Sequence, residues 1–362
     1  MRGRIAVRAL LVVGALLAQL LVVAPAHAVI GEQAVATGLD NPVGFTINPV
    51  DSNELWYGER NTGEIRRRNI VTSADSLVYT VSNVLTLNEQ GLLGIALHPD
   101  YPSQPYVYVY ATRNKGGVAV NMVIKITLSG GVGIRRKTLL KDPSTRTGHN
   151  GGRIKFGSDG MLYVSIGEHT FPTNSQNLNN PAGKIHRITP DGDVPADNPF
   201  PGSTIWAYGV RNSFGFAFDP TTGFLWDTDN GPDCNDEVNR IKKGGNYAWG
   251  ENFNCALSPA PQNTNQDGPL PRRLPKLFQA DTTGITGAAF CSGCGLPTDL
   301  DLYIGGVNDG IIYKLTLDAT RKKVVASAPF LDRTGFVISL ETRPGLPIYF
   351  SDSSGIYKLV NS

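Results

Sequence analysis

One unit recurs six times along this chain, and that repetition limits the fold more than any single residue does. The unit runs from an apolar strand through a Pro/Asp/Gly turn to an aromatic-rich strand, then by a short loop to a third strand. Copies begin at Gly44 (GFTINPVDSNELWYGERNTGEIRRRN), Gly94 (GIALHPDYPSQPYVYVYAT) and Gly152 (GRIKFGSDGMLYVSIGE). They continue at Gly215 (GFAFDPTTGFLWDTDNG), Gly287 (GAAFCSGCGLPTDLDLYIGGVNDGIIYKLTLD) and Val337 (VISLETRPGLPIYFSDSSGIYKLV). Each copy is an antiparallel meander that cannot bury both of its faces alone, so copies must pack side by side. The expectation is an all-β, six-bladed propeller of four-stranded antiparallel blades, forming one domain over 29–362. Near-absence of helix-period segments, with 41 Gly and 24 Pro, fits short strands and many turns. An ordinary β-sandwich would not repeat itself six times. The polar stretches 112–121, 168–181, 191–204 and 252–283 read as loops at one mouth of the ring.

The first residues read as an export leader. Arg2, Arg4 and Arg8 precede an apolar run over 9–23, and Ala26-His27-Ala28 supplies a small-residue cleavage pattern. The run is about 15 residues, short of the roughly 20 needed to span a bilayer, and no later segment is long enough. The expectation is a leader over 1–28 and a secreted or periplasmic mature chain without stable membrane insertion. Losing the leader takes the formal charge from +2 to about −1. That leaves no basic footprint for nucleic acid.

Four cysteines lie in the mature part, an even number suited to disulfides in an exported protein. The sequence-local pairs are Cys234 with Cys255 and Cys291 with Cys294. A redox role for the CSGC run would need a helix after Cys294, and none is patterned there. The 234/255 spacing is too wide for a zinc knuckle.

Two places carry chemistry. His149 precedes one strand and Glu168 ends the next, with the turn Gly157-Ser158-Asp159-Gly160 between them, so a hairpin would bring imidazole and carboxylate to the same end. A histidine oriented by a carboxylate can take a proton near neutral pH, and a loop cap beside a solvated strand end has the same spacing. Over 231–247, Asp233, Asp236 and Glu237 crowd a Gly/Pro-rich loop, which suits either a hard cation that wants six to eight oxygens or a solvated acidic turn. His98, His169 and His186 read as structural.

The chain resembles the glucose/sorbosone dehydrogenase family, soluble quinoproteins that use pyrroloquinoline quinone (PQQ) and calcium. The motifs that carry the resemblance are EQGLLGIALHPDY at Glu89, HNGGRIKF at His149 and GKIHRITPDGDVPADNPF at Gly183. WAYGVRNSFGFAFDP at Trp206 and NGPDCNDEVNRIKKGGNYAWG at Asn230 complete the set. The resemblance implies oxidation of an aldose at C1 to its lactone, with an external electron acceptor. His149 would be the general base, Glu168 its orienting acid, and Arg211 with Asn212 would lie beside the quinone oxygens. Glu89, with Gln90 as a neighbour able to share the role, takes the position of a residue against the cofactor. The carbonyls of Gly231 and Pro232 would hold the calcium that also binds the cofactor, and Glu237 with the carbonyl of Tyr247 a second one. Asp236 belongs to the same acidic loop, which Cys234 and Cys255 would staple.

Two departures stand out. Relatives grip the cofactor's carboxylates with a late Lys and an Arg-x-Arg pair. In this chain Asn308 or a neighbour stands where the Lys would be, Arg333 is available as the first Arg, and Gly335 replaces the second. Each lost charge-assisted contact costs about 1–3 kcal/mol, unless Arg146, Lys141 or another loop cation compensates. The alternative reading is a non-catalytic secreted propeller that binds a carbohydrate or protein partner. A calcium-dependent lactonase-type hydrolase shares the architecture but not the contexts of His149 and Arg211-Asn212.

Overall fold

The computed structural model describes residues 30–251, 255, 271–279 and 281–361. The expected leader, and most of 252–270, lie outside them. Six four-stranded antiparallel sheets follow one another as the blades of a propeller. Their inner strands are Gly44–Ile47, Leu92–Leu97, Ile154–Phe156, Ser213–Phe218, Ile285–Phe290 and Ser339–Glu341. The first five blades are consecutive meanders. The sixth takes its outer strand, Ile30–Thr37, from the start of the described chain and pairs it antiparallel with Gly355–Asn361. That pairing closes the ring.

Each recurring unit supplies the inner strands of one blade, and the glycine that opens five of the six has a steric purpose. A Cβ on Gly94 would lie 2.1 Å from the carbonyl oxygen of Gly152, one blade on. Neighbouring inner strands therefore meet backbone to backbone at the axis. Apolar side chains fill the wedges between blades rather than one central core. Tyr108, Tyr110 and Val123 of blade 2, for example, pack on Ile154, Leu162 and Val164 of blade 3.

Meander parity decides where function can sit. An inner strand runs away from one face and the second returns to it, so the turn between strands two and three lies on that face. The link from a blade's outer strand to the next inner strand emerges there too. Glu89, His149 and Arg211 are on blade-to-blade links, whereas Arg60, Glu168, Gly231 and Asn308 follow second strands. All of them share one face.

The structure corrects three of the expected mouth loops. Residues 191–204 join the third and fourth strands of blade 3, Lys184–Ile188 and Ile205–Tyr208, so they lie on the opposite face, and within 252–283 Leu277–Gln279 is the outer strand of blade 4. Residues 112–121 are the ends of two long strands, Tyr106–Lys115 and Val118–Ser129, joined by Gly116 and Gly117 at φ +66° and +89°. The hydroxyl of Thr112 donates to Asn121 Oδ1 at 2.7 Å, so polar side chains in this hairpin satisfy one another inside the fold. Both disulfides, Cys234–Cys255 and Cys291–Cys294, are formed as paired in sequence. Among the described residues no helix is long and apolar enough to cross a membrane.

Two tests follow. Gly94→Ala should destabilise the fold by about 3 kcal/mol or more through overpacking. Gly31→Ala, whose Cβ would meet only Val360 at 3.7 Å, should stay within about 0.5 kcal/mol in denaturant unfolding. The second test uses His186, which is 1% exposed. It donates Nε2–H to the Pro181 carbonyl and accepts from Thr204 Oγ1 at Nδ1, both at 2.8 Å. Burial, helped by the charge of Lys184, pushes its pKa down to about 4. The unfolded chain then binds the proton first, so stability is complete above about pH 6.5 and falls as the pH drops towards 4. The loss should approach about 3 kcal/mol and be absent from His186→Gln, compared by urea unfolding at pH 7 and 4.5.

Candidate active site

A cavity of about 550 Å³ opens on this face around the axis, within the roughly 300–1,000 Å³ of small-molecule sites. The third-blade hairpin forms as its sequence predicts, with Ile154–Phe156 paired to Leu162–Ile166. His149 takes a left-handed backbone, φ +52°, and its half-buried ring lines the cavity. Its Nδ1 is hydrogen-bonded to Oε1 of Glu168, which is 1% exposed. Nδ1–H donation to that carboxylate leaves Nε2 as the ring's proton acceptor. Glu168 is fixed from behind, its amide donating to the Arg211 carbonyl at 2.8 Å.

A dense network joins the neighbouring links. Glu89 Oε2 accepts from the amide of Asn150 and from Asn212 Nδ2, each at 3.2 Å. Asn212 Oδ1 accepts from the Gly151 amide at 3.1 Å. The amides of Arg211 and Asn212 donate to the Asp229 carboxylate at 2.9 and 2.7 Å. Burial pushes Asp229 up to about 6 although those two amides favour its charged form. The Arg211 guanidinium donates to the Asn230 carbonyl at 3.0 Å and lies 5.4 Å over the Trp249 ring. Burial lowers its pKa, opposed by the charges of Asp229, Glu168 and Glu89.

The acidic loop divides into two parts. Gly231, Pro232 and Asp233 line the cavity, and among the described residues neither the Gly231 nor the Pro232 carbonyl accepts a hydrogen bond. Asp236 also borders the cavity, but its oxygens accept from the amides of Gly231 and Gly284 at 2.9 and 2.7 Å. Through the Gly284 amide it ties blade 4 to blade 5. Glu237 and Tyr247 sit deeper, away from the cavity lining. Cross-strand register sets Glu237 beside Asp229 and Asn239 beside Asp227. Burial, followed by the charge of Asp229, pushes Glu237 up to about 8. Among the described residues, Asp227 Oδ2 and Asn239 Oδ1 are buried without a hydrogen bond. No three His, Cys, Asp or Glu side chains converge as a ready metal cluster among the described residues. Any cation in this loop would depend on carbonyl and amide oxygens as well as carboxylates.

Other expected residues fall elsewhere. Gln90 is buried outside the lining and joins loops, donating Nε2 to the Arg146 carbonyl at 3.2 Å. Asn308 does line the cavity, its Nδ2 donating to the Thr282 carbonyl at 3.2 Å. Arg333 does not. Its guanidinium lies 2.8 Å from Glu32 and donates to Asp352 at 3.1 Å, because opposite charges on the closing strand and on blade 6 claim it. Sequence reasoning counted His169 as structural but missed its partner: the ring is fully buried with Nε2 bonded to Asp142 at 2.5 Å. Burial raises the Asp142 carboxyl, but the bond and charge of His169 bring it below its ordinary value. The pair anchors the link immediately after Glu168. No local sequence signal marks it, since Asp142 is 27 positions away.

A sequence model of the family described as Glucose / Sorbosone dehydrogenase matches residues 39–357. The chain is 27% identical to aldose sugar dehydrogenase YliI of Escherichia coli over 349 residues, 91% of this chain and 92% of that protein. It is 32% identical to quinoprotein glucose dehydrogenase B of Acinetobacter calcoaceticus over 257 residues, 60% of this chain and 52% of that one. The PQQ-bound aldose sugar dehydrogenase from Streptomyces coelicolor superposes with a TM-score of 0.78 at 28% identity, covering 93% and 99% of the two chains.

Proposed function

The chain belongs to the glucose/sorbosone dehydrogenase family, and from that premise we propose that it is an exported, PQQ- and calcium-dependent aldose dehydrogenase. The observation that carries this reading is the His149–Glu168 pair, with His149 on the wall of a cavity whose lining also includes Arg211, Asn212, Gly231 and Pro232. When bound, PQQ supplies a two-electron acceptor for the hydride that leaves C1 of the sugar. His149 Nε2 accepts the proton of the C1 hydroxyl, and Glu168 holds the ring by Nδ1 in the tautomer that permits this. Loss of that proton and the C1 hydride leaves the lactone. The Arg211 guanidinium and the Asn212 amide stand where negative charge on a carbonyl oxygen would be stabilised. An external acceptor must then remove both electrons for turnover.

The donor set fits the cofactor and the metal. Glu89, Arg211, Asn212 and Asn308 would contact the quinone, and the Gly231 and Pro232 carbonyls would hold calcium beside it. Behind them Glu237 and the Tyr247 carbonyl would hold a second calcium. Its charge answers the otherwise costly burial of Glu237 next to Asp229. Two disulfides agree with an extracytoplasmic address.

Purified protein reconstituted with PQQ and calcium should reduce a redox dye when given simple aldoses. His149→Ala should lower kcat by roughly 10³-fold while still binding the quinone. Wild-type protein that neither turns over aldoses nor shifts the quinone absorbance at micromolar PQQ would sink the enzyme and favour a binding module. Chelation should lower the melting temperature by on the order of 5 °C, and Glu237→Gln should remove most of that difference. A melting temperature indifferent to calcium would count against the second site.

A further inference from the structure

The tricarboxylate quinone needs cations, and the ones assigned to it by resemblance are absent or engaged elsewhere. Arg333 is held by Glu32 and Asp352. Arg146 is exposed, lies 5.4 Å over Phe171 and is not part of the lining, and neither is Lys141. Only Arg211 and Arg60 bring positive charge to the cavity wall among the described residues, and Arg211 already faces Asp229, Glu168 and Glu89.

Arg60 follows the second strand of blade 1 and is built into place. Its amide donates to the carbonyls of Asp40 and Asn41, its carbonyl accepts from Leu92, and its Nε donates to the Gln90 carbonyl at 3.0 Å. Gly91, at φ +153°, leaves room for the stem, since a Cβ there would lie 2.3 Å from Arg60 Cγ. Among the described residues the terminal nitrogens of Arg60 make neither a hydrogen bond nor an ion pair, although Glu89 and Asp40 attract the guanidinium at longer range. A guanidinium fixed through Nε and open at both Nη atoms presents a fork matched to a carboxylate.

We propose that Arg60 is the cofactor's carboxylate grip in this chain, supplying from blade 1 the cation that blades 5 and 6 lack. The inference rests on the quinone reading above and assigns one of its binding residues.

The test compares ligands that differ only in charge. Calcium-loaded apoprotein is titrated with PQQ and with its trimethyl ester, reading tryptophan quenching, for wild type, Arg60→Gln and Arg60→Lys. Arg60→Gln should weaken PQQ binding by roughly 10- to 100-fold and leave the ester within about twofold. Arg60→Lys, which keeps the charge but not the fork, should fall between. The ester also reports whether each variant still holds a formed cavity. PQQ affinity within twofold of wild type in Arg60→Gln, or equal losses for PQQ and ester, overturns the assignment and leaves the quinone reading standing. Absence of saturable PQQ binding to wild type overturns both.

Discussion

Backbone-to-backbone contact between inner strands is the constraint from which the rest of this structure follows. With only hydrogens at Gly94 facing the Gly152 carbonyl, neighbouring inner strands approach to a distance no side chain would permit. The links rising from those strands then converge on one small cavity. Residues as distant in sequence as Arg60, Glu89, His149, Arg211 and Asn308 meet there. Meander parity puts the two kinds of functional connection, blade-to-blade links and second-to-third turns, on that same face. The opposite face receives only the remaining turns.

Within the cavity, backbone amides are positioned by buried charge. Asp229 takes the amides of both Arg211 and Asn212, which turns their side chains forward, and Asn212 then bridges Glu89 to the Gly151 amide next to His149. His149 is thus placed by contacts with blades 3 and 4 and by the link from blade 1. Such concentration has an electrostatic consequence. Asp227, Asp229 and Glu237 are all pushed up, first by burial and then by neighbouring carboxylates, Asp229 acting on the other two and Asp236 on Asp229 and Glu237. Cation binding behind the site would relieve that repulsion while keeping the amide acceptors ionised, so metal and scaffold would stabilise each other.

The blades were legible because strands one to three of each carry alternation, aromatic residues and turn signals. The hairpin around Gly157–Gly160 was legible for the same reason, and with it the meeting of His149 and Glu168. Outer strands were harder to read. Ile205–Tyr208 stands far from the third strand of its blade, and Leu277–Gln279 is a short, half-buried segment with little pattern. Ring closure was invisible, since Ile30–Thr37 pairs with a strand more than three hundred positions away. Polar composition misrepresented 112–121, where Thr112 and Asn121 satisfy each other within a hairpin. The surroundings of Asp236 were illegible for a related reason. A carboxylate in a loop looks the same in sequence whether its oxygens face a cation or the amides of Gly231 and Gly284.

Ring closure also bears on ligand recognition. Arg333 sits on the link into blade 6, packs 5.0 Å over Phe350 and 4.8 Å over Tyr357, and joins Glu32 of the closing strand to Asp352. A side chain bound by two carboxylates and two rings cannot also turn to a ligand without leaving those charges unpaired. The last blade draws its outer strand from the opposite end of the chain, so it has the most to gain from such a fastening. Blade 1 has no comparable demand. Its second-to-third turn is covalently continuous on both sides and can hold a guanidinium by one nitrogen while leaving the rest free. The cation most firmly committed to closing the ring is therefore the one least able to serve the cavity, and the burden passes to the first blade.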